Sequence, residues 1–278
     1  MKDKTVFAFV HIEKAAGTTL NHILRNNFFP NYIDVRPLKN ESTRIFKNDD
    51  LNVYMKINPC LKCISGHSII PENLFVDNIK IKYFTVLRNP VHRYVSQFLH
   101  LVKIKSIKND FEFFLSHSHF NNYQTKKIAG KEDLDSAKSI LSNKMIEVGA
   151  VEEFDSFLLR LKKSLHPIKF DPTYTKKNIT GSNAAKASLF DEYENEILHR
   201  NELDIKLYNY VLNQLIPERN NQYGQTVLKT DLERFRRDNV HTKTHVKNYA
   251  DYIIRKGYYE PITGLIRKKS GMPAKGSY

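Results

Sequence analysis

The chain has 278 residues, with 44 Lys+Arg against 30 Asp+Glu, a formal charge of +14, and 41% hydrophobic and 12% aromatic side chains. That apolar content, including 17 Phe and 15 Tyr, supplies a packed core and excludes disordered and fibrous classes. The length suits one ordinary domain or two small ones, and the longest apolar stretch near the start, 6–12, is far too short to span a membrane.

Thr5-Val6-Phe7-Ala8-Phe9-Val10-His11-Ile12 is a continuous β-branched and aromatic run, as expected of a strand buried on both faces of a parallel sheet. Lys2 and Lys4 imitate the start of a secretory leader, but Glu13 and Lys14 follow the run with no small-residue cleavage site. Next come Lys14-Ala15-Ala16-Gly17-Thr18-Thr19 and then Leu20, Ile23, Leu24 and Phe28 at helical spacing, with Thr18 or Thr19 placed to cap the helix. The unit reads strand, tight loop, helix.

Cys60 and Cys63 form a lone C-x-x-C with no partner pair at zinc spacing, which predicts a structural role, with a labile disulfide as the alternative. A second strand, with Ile79, Ile81, Tyr83, Phe84, Val86 and Leu87, ends at Arg88-Asn89-Pro90. Pro90 suits a first helical turn, and Val91, Tyr94, Val95, Phe98, Leu101 and Val102 recur at three- and four-residue steps. Met145 to Val151 is a third strand, followed by an amphipathic helix with Phe154, Phe157, Leu158 and Leu161. Residues 170–186, with Pro172, Asn178, Gly181, Ser182 and Asn183, have loop chemistry, and 204–216 reads as a helix stopped by Pro217. No repeat or linker interrupts the chain. The expectation is one domain over 1–278, an α/β fold of three layers with a P-loop-like parallel sheet between helices.

Ligands of such sheets bind at the carboxyl ends of the strands, where helix N-termini offer N–H groups to anions. In the first loop Ala15, Ala16 and Gly17 allow close backbone approach to a phosphate, Thr18 and Thr19 bring hydroxyls, and Lys14 a cation. The lysine precedes the only glycine, so the loop is not a Walker motif. At the second strand end Arg88 brings a planar fork, and Ser96 a hydroxyl two turns into the helix. Arg93, between them, reads equally as a structural cation or as a ligand contact.

These two motifs resemble those of the sulfotransferases that use 3′-phosphoadenosine 5′-phosphosulfate, especially the carbohydrate branch with the heparan sulfate 2-O- and 6-O-sulfotransferases. The run 11–19 is similar to the 5′-phosphosulfate loop, and 87–96 to the 3′-phosphate motif R-x-P-x-x-R-x-x-S. Weaker likenesses follow at 122–125, 148–154 and 201–208. Glu13 departs from the pattern, which commonly has proline before the lysine. The resemblance implies transfer of a sulfuryl group to an acceptor hydroxyl, with adenosine 3′,5′-bisphosphate as product and no obligatory metal. Lys14 and the loop N–H groups would then stabilise the leaving oxygen. Ser65-Gly66-His67 resembles the segment that carries the catalytic histidine, so His67 is the candidate base, and Lys177 and Thr180 fall in a late loop near the nucleotide.

The expected partners are this nucleotide donor and a glycan or other hydroxyl acceptor, with nucleic acid disfavoured and oligomeric state open. From Lys229 onward there are twelve Lys+Arg against five Asp+Glu, a basic segment suited to a polyanion. Lys103, Lys105 and Lys108 suit an acidic acceptor or a solvated helix face alike, and His241 and His245 lack a third metal ligand. Few cysteines and no recognisable leader suggest a cytoplasmic, most simply bacterial, protein, although a chain that had lost a Golgi-type anchor would read the same. Two alternatives stay open: a Mg-dependent kinase that uses the same loop, and a non-enzymatic module that binds acidic polysaccharide or nucleic acid.

Overall fold

The computed structural model describes residues 4–39, 45–76, 78–175, 183–239 and 247–273. Its elements are β1 (Lys4–Val10), α1 (Gly17–Phe28), β2 (Tyr32–Asp34), α2 (Asn48–Ile57), β3 (Cys63–Gly66), β4 (Ile79–Leu87), α3 (Pro90–Lys103), α4 (Phe111–Leu115), α5 (Tyr123–Ala129), α6 (Leu134–Asn143), β5 (Met145–Ala150), α7 (Phe154–Ser164), α8 (Asn183–Arg200), α9 (Glu202–Tyr210), α10 (Ile216–Tyr223), α11 (Gln225–Asp238), α12 (Lys247–Ile254) and α13 (Glu260–Lys269). The strands form one parallel sheet in the order β2-β3-β1-β4-β5.

Alternation along β1 makes the three layers. Val6, Ala8 and Val10 point into one core, shared with Leu51 and Tyr54 of α2, Ile128 of α5, Ile140 of α6 and Leu207 of α9. Phe7 and Phe9 point into the other, with Leu20 and Ile23 of α1, Phe157 and Leu158 of α7 and Phe235 of α11. Each fully buried side chain of this size contributes about 1.5–3 kcal/mol. A third, aromatic cluster joins α3, α4 and α8 through Tyr94, Phe98, Phe111, Phe114 and Ile197.

The weak likenesses at 122–125, 148–154 and 201–208 have a shared physical role: they hold the loop after β4. Asn122 has a left-handed backbone (φ 46°); its N–H donates to Asn201 Oδ1 at 3.1 Å, and its own Oδ1 accepts from Leu203 N at 3.0 Å. The fully buried Asp204 carboxylate accepts from the backbone N–H of Gln124 (3.0 Å) and of Thr125 (2.8 Å), and from the Thr125 hydroxyl (2.8 Å). Gln124 then brackets Arg88: its Oε1 accepts from Arg88 N at 2.9 Å and its Nε2 donates to Arg88 O at 2.8 Å. Glu152 accepts from Asn89 N at 3.3 Å and from the Tyr208 hydroxyl at 2.7 Å.

Three local expectations need correction. Neither threonine caps α1: the helix starts at Gly17, behind Ala16 in a left-handed conformation, with no side-chain cap. Pro217 does not stop a helix, because a wide turn over Val211–Leu215 absorbs its missing N–H and the chain stays helical to Tyr223. Residues 183–186, expected as loop, begin α8. Cys60 is exposed and Cys63 buried, and both are free thiols.

The basic carboxyl-terminal segment is also a packing element. Tyr259 donates to the Pro30 carbonyl at 3.3 Å and Arg267 to that of Pro37, so the helical stretch from α12 to α13 runs beside the edge strand β2. No described helix is long and apolar enough to cross a membrane.

Candidate active site

Three strand ends converge at the carboxyl edge of the sheet, because β1 lies between β3 and β4. The loop after β1 turns through two non-glycine residues at positive φ, Lys14 (68°) and Ala16 (58°), each costing roughly 1–2 kcal/mol. Gly17, by contrast, is required by a neighbour: a Cβ there would lie 1.6 Å from His11 Nε2. The close approach that Gly17 permits in this structure is that of the His11 ring. With no side chain capping α1, the anion-attracting N-terminus of that helix, at Gly17, Thr18 and Thr19, faces the loop. Thr18 is exposed, and Ala15 and Thr19 are buried.

Arg88, at the end of β4, meets this loop directly: its Nη1 donates to the Lys14 carbonyl at 3.0 Å. Burial lowers the pKa of this guanidinium, with Glu152 opposing. Lys14 also reaches α3, where burial first and then its charge lower the pKa of His100. Ser96 is buried in α3. Arg93 is fully buried over the Tyr123 ring at 4.8 Å, donates to the Phe120 carbonyl at 3.0 Å and has Asp204 as its main counter-charge, while its Nε and Nη1 have no hydrogen-bond partner among the described residues. Lys103, Lys105 and Lys108 are exposed at the far end of α3 and just beyond. Lys177, Thr180, His241 and His245 lie outside the described residues.

His67 leaves the end of β3 and lies against the loop after β1. Its Nδ1 is 2.9 Å from the His11 carbonyl oxygen and 3.3 Å from Glu13 Oε1. Both are acceptors, so Nδ1 carries the proton of the neutral ring and Nε2 carries the lone pair. The side chain keeps 29% exposure, which leaves it accessible to a substrate. The His11 ring packs against it at a tilt of 33°, with centroids 3.9 Å apart, and stacks on Phe9 at 5.2 Å. Burial first, then His67, hold His11 well below the usual imidazole pKa, against the pull of Glu13. His11 therefore stays neutral beside its partner.

Sequence reasoning missed two charged members of this group. Burial alone would raise the pKa of the Glu13 carboxyl, but His67, Lys127 and Tyr123 together hold it well below the carboxylate range. Lys127, on α5, donates to the His67 carbonyl and lies 3.7 Å from Glu13 Oε1. The one available signal was Glu13 standing where proline is common; Lys127 has no local pattern. Among the described residues no three His, Cys, Asp or Glu side chains are grouped to hold a metal ion.

The geometry brings together a helix N-terminus, a lysine and an arginine, groups that could hold an anion, and an imidazole whose Nδ1 faces two acceptors. That pairing suits displacement at a phosphate- or sulfate-like centre by a hydroxyl. Comparison with known proteins agrees: a family model described as the sulfotransferase family matches residues 1–211. No curated protein matches the chain.

Proposed function

The chain belongs to the sulfotransferase family, and on that premise we propose that it moves a sulfuryl group from 3′-phosphoadenosine 5′-phosphosulfate to a hydroxyl, on a carbohydrate acceptor, with His67 as general base. The observation that carries this reading is the Nδ1 contact of His67 with the His11 carbonyl at 2.9 Å, which leaves Nε2 as the basic nitrogen of the ring.

Each residue has a role in this scheme. The N-terminus of α1, with Ala15, Ala16, Gly17, Thr18 and Thr19, together with Lys14, would hold the 5′ end of the donor, while Arg88 and Ser96 would hold the 3′-phosphate; the proposal extends to Lys177 and Thr180. His67 Nε2 accepts the acceptor hydroxyl's proton as that oxygen bonds to sulfur and the sulfur–oxygen bond to the nucleotide breaks. Negative charge then develops on the departing phosphate oxygen, which Lys14 would stabilise. The carbohydrate acceptor rests on the likeness to the carbohydrate branch and on the charge of +14, which favours anionic polymers.

The test is release of adenosine 3′,5′-bisphosphate from the donor in the presence of a panel of neutral and acidic oligosaccharides. The wild type is expected to release it only with an acceptor, and His67→Ala to lose about 10²- to 10⁴-fold in turnover with donor affinity retained. Undiminished turnover in His67→Ala would sink the base assignment, and silence across every sugar would sink the acceptor class.

A further inference from the structure

We propose that Glu13 is a positioning residue for His67: its carboxylate, 3.3 Å from Nδ1, joins the His11 carbonyl in holding the proton on Nδ1 and stabilises the imidazolium formed when Nε2 takes a proton. The inference rests on His67 being the base. A carboxylate in a phosphate-binding loop is out of place on electrostatic grounds, because it opposes the anion that the loop serves. Glu13 offsets that conflict by pairing with His67 and Lys127.

The surroundings leave it few other roles. Its side chain is 24% exposed, and Oε2 is buried, so the carboxylate forgoes solvation that its cationic neighbours and Tyr123 must replace. From the loop after β1, the groups facing His67 are the neutral His11 ring and Glu13 itself; from α5 they are Lys127, on the His67 carbonyl, and Tyr123 behind Glu13; from α3, Arg93 lies within electrostatic reach of Glu13. Lys127 disfavours a second positive charge here, and Glu13 is the only carboxylate in this set to offset it. The arrangement supplies to an imidazole what a buried carboxylate supplies in hydrolytic triads: orientation, and a counter-charge that appears in the transition state.

The deciding experiment is a pH titration of His67 by long-range ¹H–¹⁵N NMR on histidine-labelled full chain, its signals assigned with His67→Gln, in wild type, Glu13→Gln and Glu13→Asp. We expect the His67 midpoint to fall by about one pH unit in Glu13→Gln, with the remaining histidine signals in place, and to recover partly in Glu13→Asp. In turnover assays, kcat of Glu13→Gln should fall about tenfold with the donor KM unchanged, its acid limb moving with the NMR midpoint. An unmoved midpoint in both variants overturns the proposal. A midpoint that moves while His67→Ala remains active keeps the contact but removes the base, so the two failures are distinguishable.

Discussion

His11 occupies the gap at the start of α1 that only glycine leaves open, and this makes a single substitution informative. A methyl group at Gly17 would fall 1.6 Å from the imidazole, so Gly17→Ala must push the ring outward. The expected cost is about 1–3 kcal/mol at pH 7.5, the usual penalty for overpacking. The pH dependence adds a second signature. In the unfolded chain His11 titrates near 6.5, and in the folded protein well below that. On acidification the unfolded state therefore binds the proton first, so the stability due to a neutral His11 is complete above about pH 6.5 and declines below it. Gly17→Ala, with the ring returned to solvent, should lose part of this decline. Urea denaturation of both proteins at pH 7.5 and 5.5 checks it; parallel changes would show that the ring was not displaced. At this scale the sequence pointed to Lys14 and Arg88 as cations at strand ends, and to Gly17 as a point of close approach, which in the structure is that of the His11 ring. The Glu13–His67 contact was not, since it joins positions 54 residues apart through a strand too short to recognise.

The elements that carried strong periodicity were legible: β1, β4 and β5, and the helices α1, α3 and α7 that follow them. Tyr32–Asp34 and Cys63–Gly66 are strands of three and four residues, below the length at which alternation shows, and pairing with buried neighbours makes them strands. The helices from Tyr123 and Glu202 act chiefly through polar side chains at their amino ends, so hydrophobic pattern did not disclose their purpose. They pass order from Asp204 through the Gln124 backbone to the Gln124 amide and on to Arg88. Gln124→Leu keeps the volume but leaves the Arg88 N–H and carbonyl unpaired, at about 1–3 kcal/mol for each group. Bisphosphate affinity should fall at least about tenfold, a loss of roughly 1.4 kcal/mol, in protein that remains folded by circular dichroism. Unchanged affinity would detach α5 from the nucleotide site.

For the molecule as a whole, the strand order brings the ends of β3, β1 and β4 together, so anion site and imidazole share one edge of the sheet. The family match ends at 211, yet α11 packs on the core formed with α7, and the stretch from α12 to α13 lies along β2, with Arg267 buried there. Much of the carboxyl-terminal charge excess thus sits on an element that is also tied to the backbone on either side of β2, a role that composition alone did not reveal. In the proposed scheme the loops after β1 and β4, joined by Arg88 and the Lys14 carbonyl, form one site for a nucleotide with phosphates at both 3′ and 5′ positions. Calorimetric titration with adenosine 3′,5′-bisphosphate, beside adenosine 5′-phosphate and Mg-ATP, tests it on wild type and Arg88→Ala. Micromolar binding, about −8 kcal/mol, is expected, requiring the 3′-phosphate and weakening at least about tenfold in Arg88→Ala. Preference for Mg-ATP, or indifference to both the 3′-phosphate and Arg88, would contradict it.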